Sequence, residues 1–331
     1  MKKCLIIAIT ILVYSSLYSQ VINTNLGKIE FIGLKSMSPK TLVDSITKLY
    51  PGRPIHGCAG VMEHDFGFSE VSSILYPMGK GKFYDVVTII ENDSAKRIKY
   101  LDTPKDTLAT LRSFKSLESI INNRKTYFPA LIMYYKIQKD GYPDSAKAIA
   151  DQFGLNTESL RIFCRFLNEH QSVKDLNLAL WLLNNDSNLI NDKAALAILV
   201  NFKNYDVVWW TLMNLQRSKN IQISMNSLEI LRLLIEKPKD VNWGPAVSAI
   251  RSILAGTNLF AYWNTLEVLV KTNISSNLTN QLLNGNKDLL IEYLNAQQKQ
   301  TREPAIQFVK HMSNGKATDD PLKCKEWLSN F

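Results

Sequence analysis

The stretch Leu196-Ala197-Ile198-Leu199-Val200 returns as Leu231-Arg232-Leu233-Leu234-Ile235 and again as Leu266-Glu267-Val268-Leu269-Val270. The interval is about 35 residues both times, and a second column, Leu180, Leu215 and Ile250, precedes each block at the same step. Two apolar helical stripes per fixed period describe a helix hairpin that buries its apolar face only by packing on neighbouring helices. The decisive reading is therefore a helix-hairpin array over about Val173 to Lys271.

Working outward, nothing from about Pro104 onward argues for strands. Leu108, Leu111, Phe114, Leu117, Ile120 and Ile121 are spaced as an amphipathic lead-in, and Ala130–Ile137, Ala146–Phe153 and Leu160–Leu167 read as short helices. Gly154-Leu155-Asn156-Thr157 is punctuation, with Thr157 as the expected N-cap. A looser pair follows at Asp288–Leu294 and Pro304–Met312, and Asp320-Pro321 opens a final helix expected to cap the stack. The repeat length is near that of tetratricopeptide repeats, but their Trp, Leu-Gly, Tyr, Ala and Pro pattern is absent. The leucine columns resemble HEAT-type repeats. That resemblance implies an α-solenoid over 104–331, a surface for partners rather than a reaction centre.

Toward the N-terminus the period shortens. Lys28–Leu34 lays out as a strand with Ile29, Phe31 and Gly33 on one face and Glu30, Ile32 and Leu34 on the other. Both faces are mostly apolar, so the strand is expected to be covered on both sides. Ser38-Pro39 is an N-cap with proline at the first helical position, Leu42, Val43, Ile46 and Leu49 keep helical spacing, and Pro51-Gly52 ends the helix. A second helix is expected over His56–His64. Strands Glu70–Tyr76 and Lys82–Glu91 follow, joined by Pro77-Met78-Gly79-Lys80-Gly81. The fold class is thus an α+β module, strand-helix-helix-strand-strand over 27–103, followed by an all-α remainder.

The residues Phe31-Ile32-Gly33-Leu34, Pro51-Gly52, Gly67-Phe68-Ser69-Glu70-Val71 and Ile89-Ile90-Glu91, in that order, resemble a POTRA domain. The resemblance implies a non-catalytic module that binds other chains, often by strand addition at a sheet edge. Such modules usually precede an outer-membrane barrel, and the alternating segments of a barrel do not follow here.

The first residues read as an export signal over 1–19: Lys2 and Lys3, an apolar run from Leu5 to Val13, and Ser15, Ser16 and Ser19 near the expected cut. That run is too short to span a bilayer. A net charge of +9 over 331 residues comes from scattered lysines without a dense basic run. It reads as a solvated surface, with no nucleic-acid partner expected. Cys58, Cys164 and Cys324 form no disulfide framework.

His56, Cys58, His64 and Asp65 carry the donor types zinc prefers, which defines the alternative of a metal-dependent enzyme. Cys58 also falls where the short helix needs an apolar residue, four before Met62. Adjacent Trp209 and Trp210 are about 100° apart on a helix, so both can hardly face the core equally. One of them is the candidate anchor for a protein partner or a cell-wall glycan, with Trp243 and Trp263 equally ambiguous. No catalytic, cofactor or metal residue is assigned. The expectation is an exported, non-enzymatic interaction protein, periplasmic or at the cell surface, that binds another envelope protein and carries no integral membrane span after cleavage.

Overall fold

A computed structural model describes residues 20–140, 151 and 154–331. The expected export signal lies outside these residues, as does all but one residue of the helix expected at Ala146–Phe153. The chain forms two compact units, one built from the chain up to Tyr100 together with Asn242–Phe331, the other from Leu101–Val241. Among the described residues no helix is long and apolar enough to cross a membrane.

A mixed sheet organises the first unit. Strands β1 (Gln20–Thr24) and β2 (Gly27–Ile32) form an antiparallel hairpin, and β3 (Glu70–Gly79) and β4 (Lys82–Ile90) form another. Because β2 pairs with β4 in parallel, the order is β1-β2-β4-β3. The first strand was missed in the sequence, which places the module one strand ahead of the expected pattern. Gly27 makes the β2–β4 approach possible. It has φ +134°, and a Cβ there would lie 1.9 Å from the Phe83 carbonyl oxygen, a separation no side chain tolerates.

Between the hairpins, α1 (Pro39–Leu49) starts as expected, with the Ser38 hydroxyl accepting from the Thr41 N–H. The helix expected over His56–His64 is broken into a 3-10 turn, Ile55–Gly57, and α2 (Ala59–Asp65). Two glycines in one short stretch leave too little helix propensity to carry it through Cys58. These helices cover one sheet face, where Ile29, Phe31, Val87 and Ile89 pack with Leu42, Ile46, Cys58 and Met62.

The second unit is helical. Its elements are α3 (Glu118–Asn122), α4 (Arg124–Asp140), α5 (Thr157–Glu169), then α6 (Val173–Asn185) with α7 (Leu189–Leu199), and α8 (Asp206–Leu215) with α9 (Ile221–Leu234). The last four pack as two hairpins, and Leu196 on α7 and Leu231 on α9 are both fully buried. Helix α6 opens on a capping box between Ser172 and Asp175. Asn156, not Thr157, caps α5, so the expected boundary is one residue late.

The expected amphipathic lead-in is only partly helical. Residues 102–111 run without regular structure, and their backbone groups are met by side chains of the α6–α7 turn. The Leu108 N–H donates to Asp186 (2.9 Å), the Leu111 N–H to Asn191 (3.0 Å), and the Asn188 carboxamide to the Leu108 carbonyl (2.8 Å). Polar side chains replace a ladder here, as buried backbone requires.

The first unit is completed by α10 (Val247–Leu254), α11 (Tyr262–Lys271), α12 (Thr279–Leu283), α13 (Asp288–Leu294), α14 (Lys299–Met312) and α15 (Pro321–Leu328). Leu266 on α11 is fully buried. These helices supply the second cover of the sheet. Thr88 on β4 meets the Tyr293 hydroxyl at 3.1 Å, and the Tyr76 hydroxyl meets Thr301 at 2.9 Å. Glu30 on β2 is fully buried and accepts from the Gln297 N–H (2.5 Å), the Gln298 N–H (3.0 Å) and the Tyr84 hydroxyl (2.9 Å). Its carboxylate caps α14 from another element. With that start secured, α14 begins at Lys299 and carries Pro304 inside it, whereas the sequence places the start at Pro304. The ring sits early in the helix, where the cap and buried Thr301 and Ala305 offset one missing hydrogen bond.

Candidate functional site

The residues with zinc-type donors separate by burial. Cys58 is fully buried in the core beneath the sheet, its thiol donates to the Pro54 carbonyl at 3.4 Å, and burial pushes its pKa up. A thiol held protonated in an apolar layer is a poor ligand and a poor nucleophile. His64 projects into solvent, 90% exposed, its Nδ1 at 2.7 Å from Asp65. Asp65 also accepts from the Tyr50 hydroxyl, and that bond, followed by His64, lowers its pKa. His56 is exposed. Among the described residues no three His, Cys, Asp or Glu side chains gather as a metal would need.

Two other carboxyls are poised near neutrality, neither singled out by the sequence. Glu70, at the start of β3, has its pKa raised to about 7 by desolvation, although the Tyr100 hydroxyl donates to it at 2.6 Å. Glu63 nearby raises it further, and the Leu259 backbone opposes the rise. In the other unit, Asp192 on α7 is raised to about 7 by burial and by the adjacent Asp186. One of its oxygens is buried without a hydrogen-bond partner. Both groups can exchange a proton near pH 7. Glu70 is nevertheless held by donors from its own fold, Tyr100 and a backbone N–H, an arrangement that fastens a strand end. Asp192 sits in the helix turn that secures residues 102–111.

The tryptophans differ in burial. Trp209 is fully buried and its indole N–H donates to the Lys203 carbonyl at 2.7 Å, so it fills the core and cannot anchor a partner. Trp210 is half-buried. Trp243 is buried and bonded to Thr272 at 2.8 Å, and Trp263 is half-buried. The exposed ring is Trp181, at 50%. It follows from helix geometry: Leu176, Ala179, Leu182 and Leu183 face the core of α6, while Val173, Asn177 and Trp181, four residues apart, form one outward stripe. Val173 is 55% exposed, and Tyr205 and Ile221 on the following hairpin are 46% and 62% exposed. The offset between Trp181 and the buried Leu176, Leu182 and Leu183 is a signal that the sequence itself carries.

His170 and His311 serve helix ends. The His170 ring meets the Phe166 carbonyl and the His311 ring meets the Ile274 carbonyl, each at 2.7 Å. Comparison with protein-family models, with curated proteins and with solved structures finds no match for this chain.

Proposed function

We propose that this chain is an exported, non-enzymatic interaction protein whose helical hairpins, a HEAT-like solenoid segment, bind another envelope protein. The observation that carries the reading is the outward stripe of α6, where Trp181 and Val173 stand in solvent on a hairpin whose Leu182 and Leu196 are fully buried. Large aromatic and aliphatic side chains kept at the surface of a rigid hairpin are the residue types that dominate protein–protein binding. The POTRA-like character of the sheet module supports the same class of function, with the sheet end formed by β3 as a second contact. Export rests on Lys2, Lys3 and the apolar run before Ser19.

The test is site-specific photo-crosslinking in intact cells. A crosslinker replacing Trp181 or Val173 captures one defined envelope protein, whereas the same group at Lys174, exposed but off the stripe, does not. Equal yields from all three positions, or none from any, would remove the proposal. N-terminal sequencing of the mature chain, expected to begin at Gln20, tests export independently.

A further inference from the structure

A cleft of about 450 Å³ opens in the first unit between the turn that leads into α12 and the turn that ends α14. Its volume lies in the range of small-ligand sites. Its walls are fixed to one another: the His311 ring meets the Ile274 carbonyl at 2.7 Å, Thr279 reaches the Met312 carbonyl at 3.4 Å, and the Asn314 carboxamide donates to the Ser276 hydroxyl at 3.1 Å. A site braced in this way needs little ordering when something binds. Asn314 takes φ +52° in the left-handed turn that ends α14.

The lining is chemically selective. The carboxamides of Asn277 and Asn280 are exposed and engaged by no other described residue, and the indole N–H of Trp327 is likewise unengaged among the described residues. Each carboxamide offers donors and an acceptor side by side, the pairing that adjacent ring hydroxyls complement. Trp327 is half-buried with Phe331 at 4.9 Å between ring centroids, so an aromatic surface borders the same space. An aromatic face takes the C–H side of a sugar ring while amides take its hydroxyls. Lys316 is the single charged side chain of the lining, with no acidic side chain beside it, which leaves room for a neutral or acidic sugar. We infer that this cleft is a saccharide-binding site, walled by Asn277, Asn280 and Asn314 and bordered by Trp327. The assignment is independent of the protein-binding role of α6.

Titration calorimetry of the full chain with chitotetraose, cellotetraose and maltotetraose at millimolar concentration tests it. At least one of the three binds, and the double variant N277A/N280A, altered only at exposed side chains, weakens that binding by about tenfold or more. W327A weakens it likewise, and W181A leaves it unchanged. No heat from any of the three sugars overturns the inference. So does binding that survives N277A/N280A, or binding lost in W181A instead.

Discussion

The unit spanning Leu101–Val241 closes its core with one continuous stretch of chain, whereas the other closes its core with two stretches separated by that entire unit. In the continuous unit the heaviest packing joins helices adjacent in sequence, α6 with α7 and α8 with α9, while α3 and residues 102–111 reach further along the chain to α7. In the discontinuous one, a sheet coated by its own α1 and α2 on one face waits for helices from beyond Asn242 to coat the other. Local contacts need little loop closure, while the second arrangement depends on a few long-range pins of high value.

The largest effect expected from this difference is on fragments. Leu101–Val241 expressed alone should unfold cooperatively in urea, and the chain cut after Tyr100 should show no cooperative transition, because Ile32, Val86 and Ile90 lose their cover. Two cooperative fragments would break the comparison. Next comes Glu30→Ala, which strips the acceptor from the Gln297 and Gln298 N–H groups and the Tyr84 hydroxyl. It should cost about 4 kcal/mol in chemical denaturation, and Glu30→Gln should cost less. Truncating the leucine columns should cost about 3 kcal/mol for either Leu231→Ala or Leu266→Ala. Hydrogen exchange would sharpen the contrast: the added exchange in L231A belongs to Leu101–Val241, and in L266A to the other unit.

A smaller effect has a defined pH dependence. Asp192 and Glu70 have ordinary values of 3.8 and 4.5 and folded values of about 7. A carboxyl raised on folding contributes stability that is fully present below its ordinary value and is lost as pH rises through the folded value. Stability from these groups should therefore fall between about pH 4 and pH 7 and level off above. Asp192→Asn should stabilise the protein at pH 8 by about 2 kcal/mol and flatten that fall, as followed by urea midpoints across pH. The smallest change is Trp181→Ala, less than about 0.5 kcal/mol in stability, with the expected consequence confined to crosslinking.

What could be read in advance follows the same divide. Ser38-Pro39, the buried Leu196, Leu231 and Leu266, and the apolar residues on both faces of β2 are patterns of neighbours a few residues apart, so they are legible locally even though the second cover of β2 comes from far along the chain. Strand β1 carries only Val21 and Ile22 as aliphatic residues and adjoins the expected export signal, so periodicity had little to register. The Glu30 cap joins positions 267 and 268 residues apart. No local rule marks a glutamate on a strand as the N-terminal acceptor of a distant helix, and local pattern alone therefore puts the helix start at Pro304. The tryptophans carry a further lesson. Adjacency drew attention to Trp209 and Trp210, but exposure depends on where a ring sits relative to the buried stripe, and on α6 that stripe turns Trp181 outward.

The divided first unit also constrains how the molecule is made. Synthesis and any passage through a translocon run from the N-terminus, so β1 through β4 emerge long before α13 and α14. Until then the face bearing Ile32, Val86, Thr88 and buried Glu30 stays uncapped, an aggregation-prone surface of the kind chaperones shield. The intervening helices can meanwhile settle on their own. The moment that Gln297 and Gln298 reach Glu30 then marks the arrival of the second cover on the sheet.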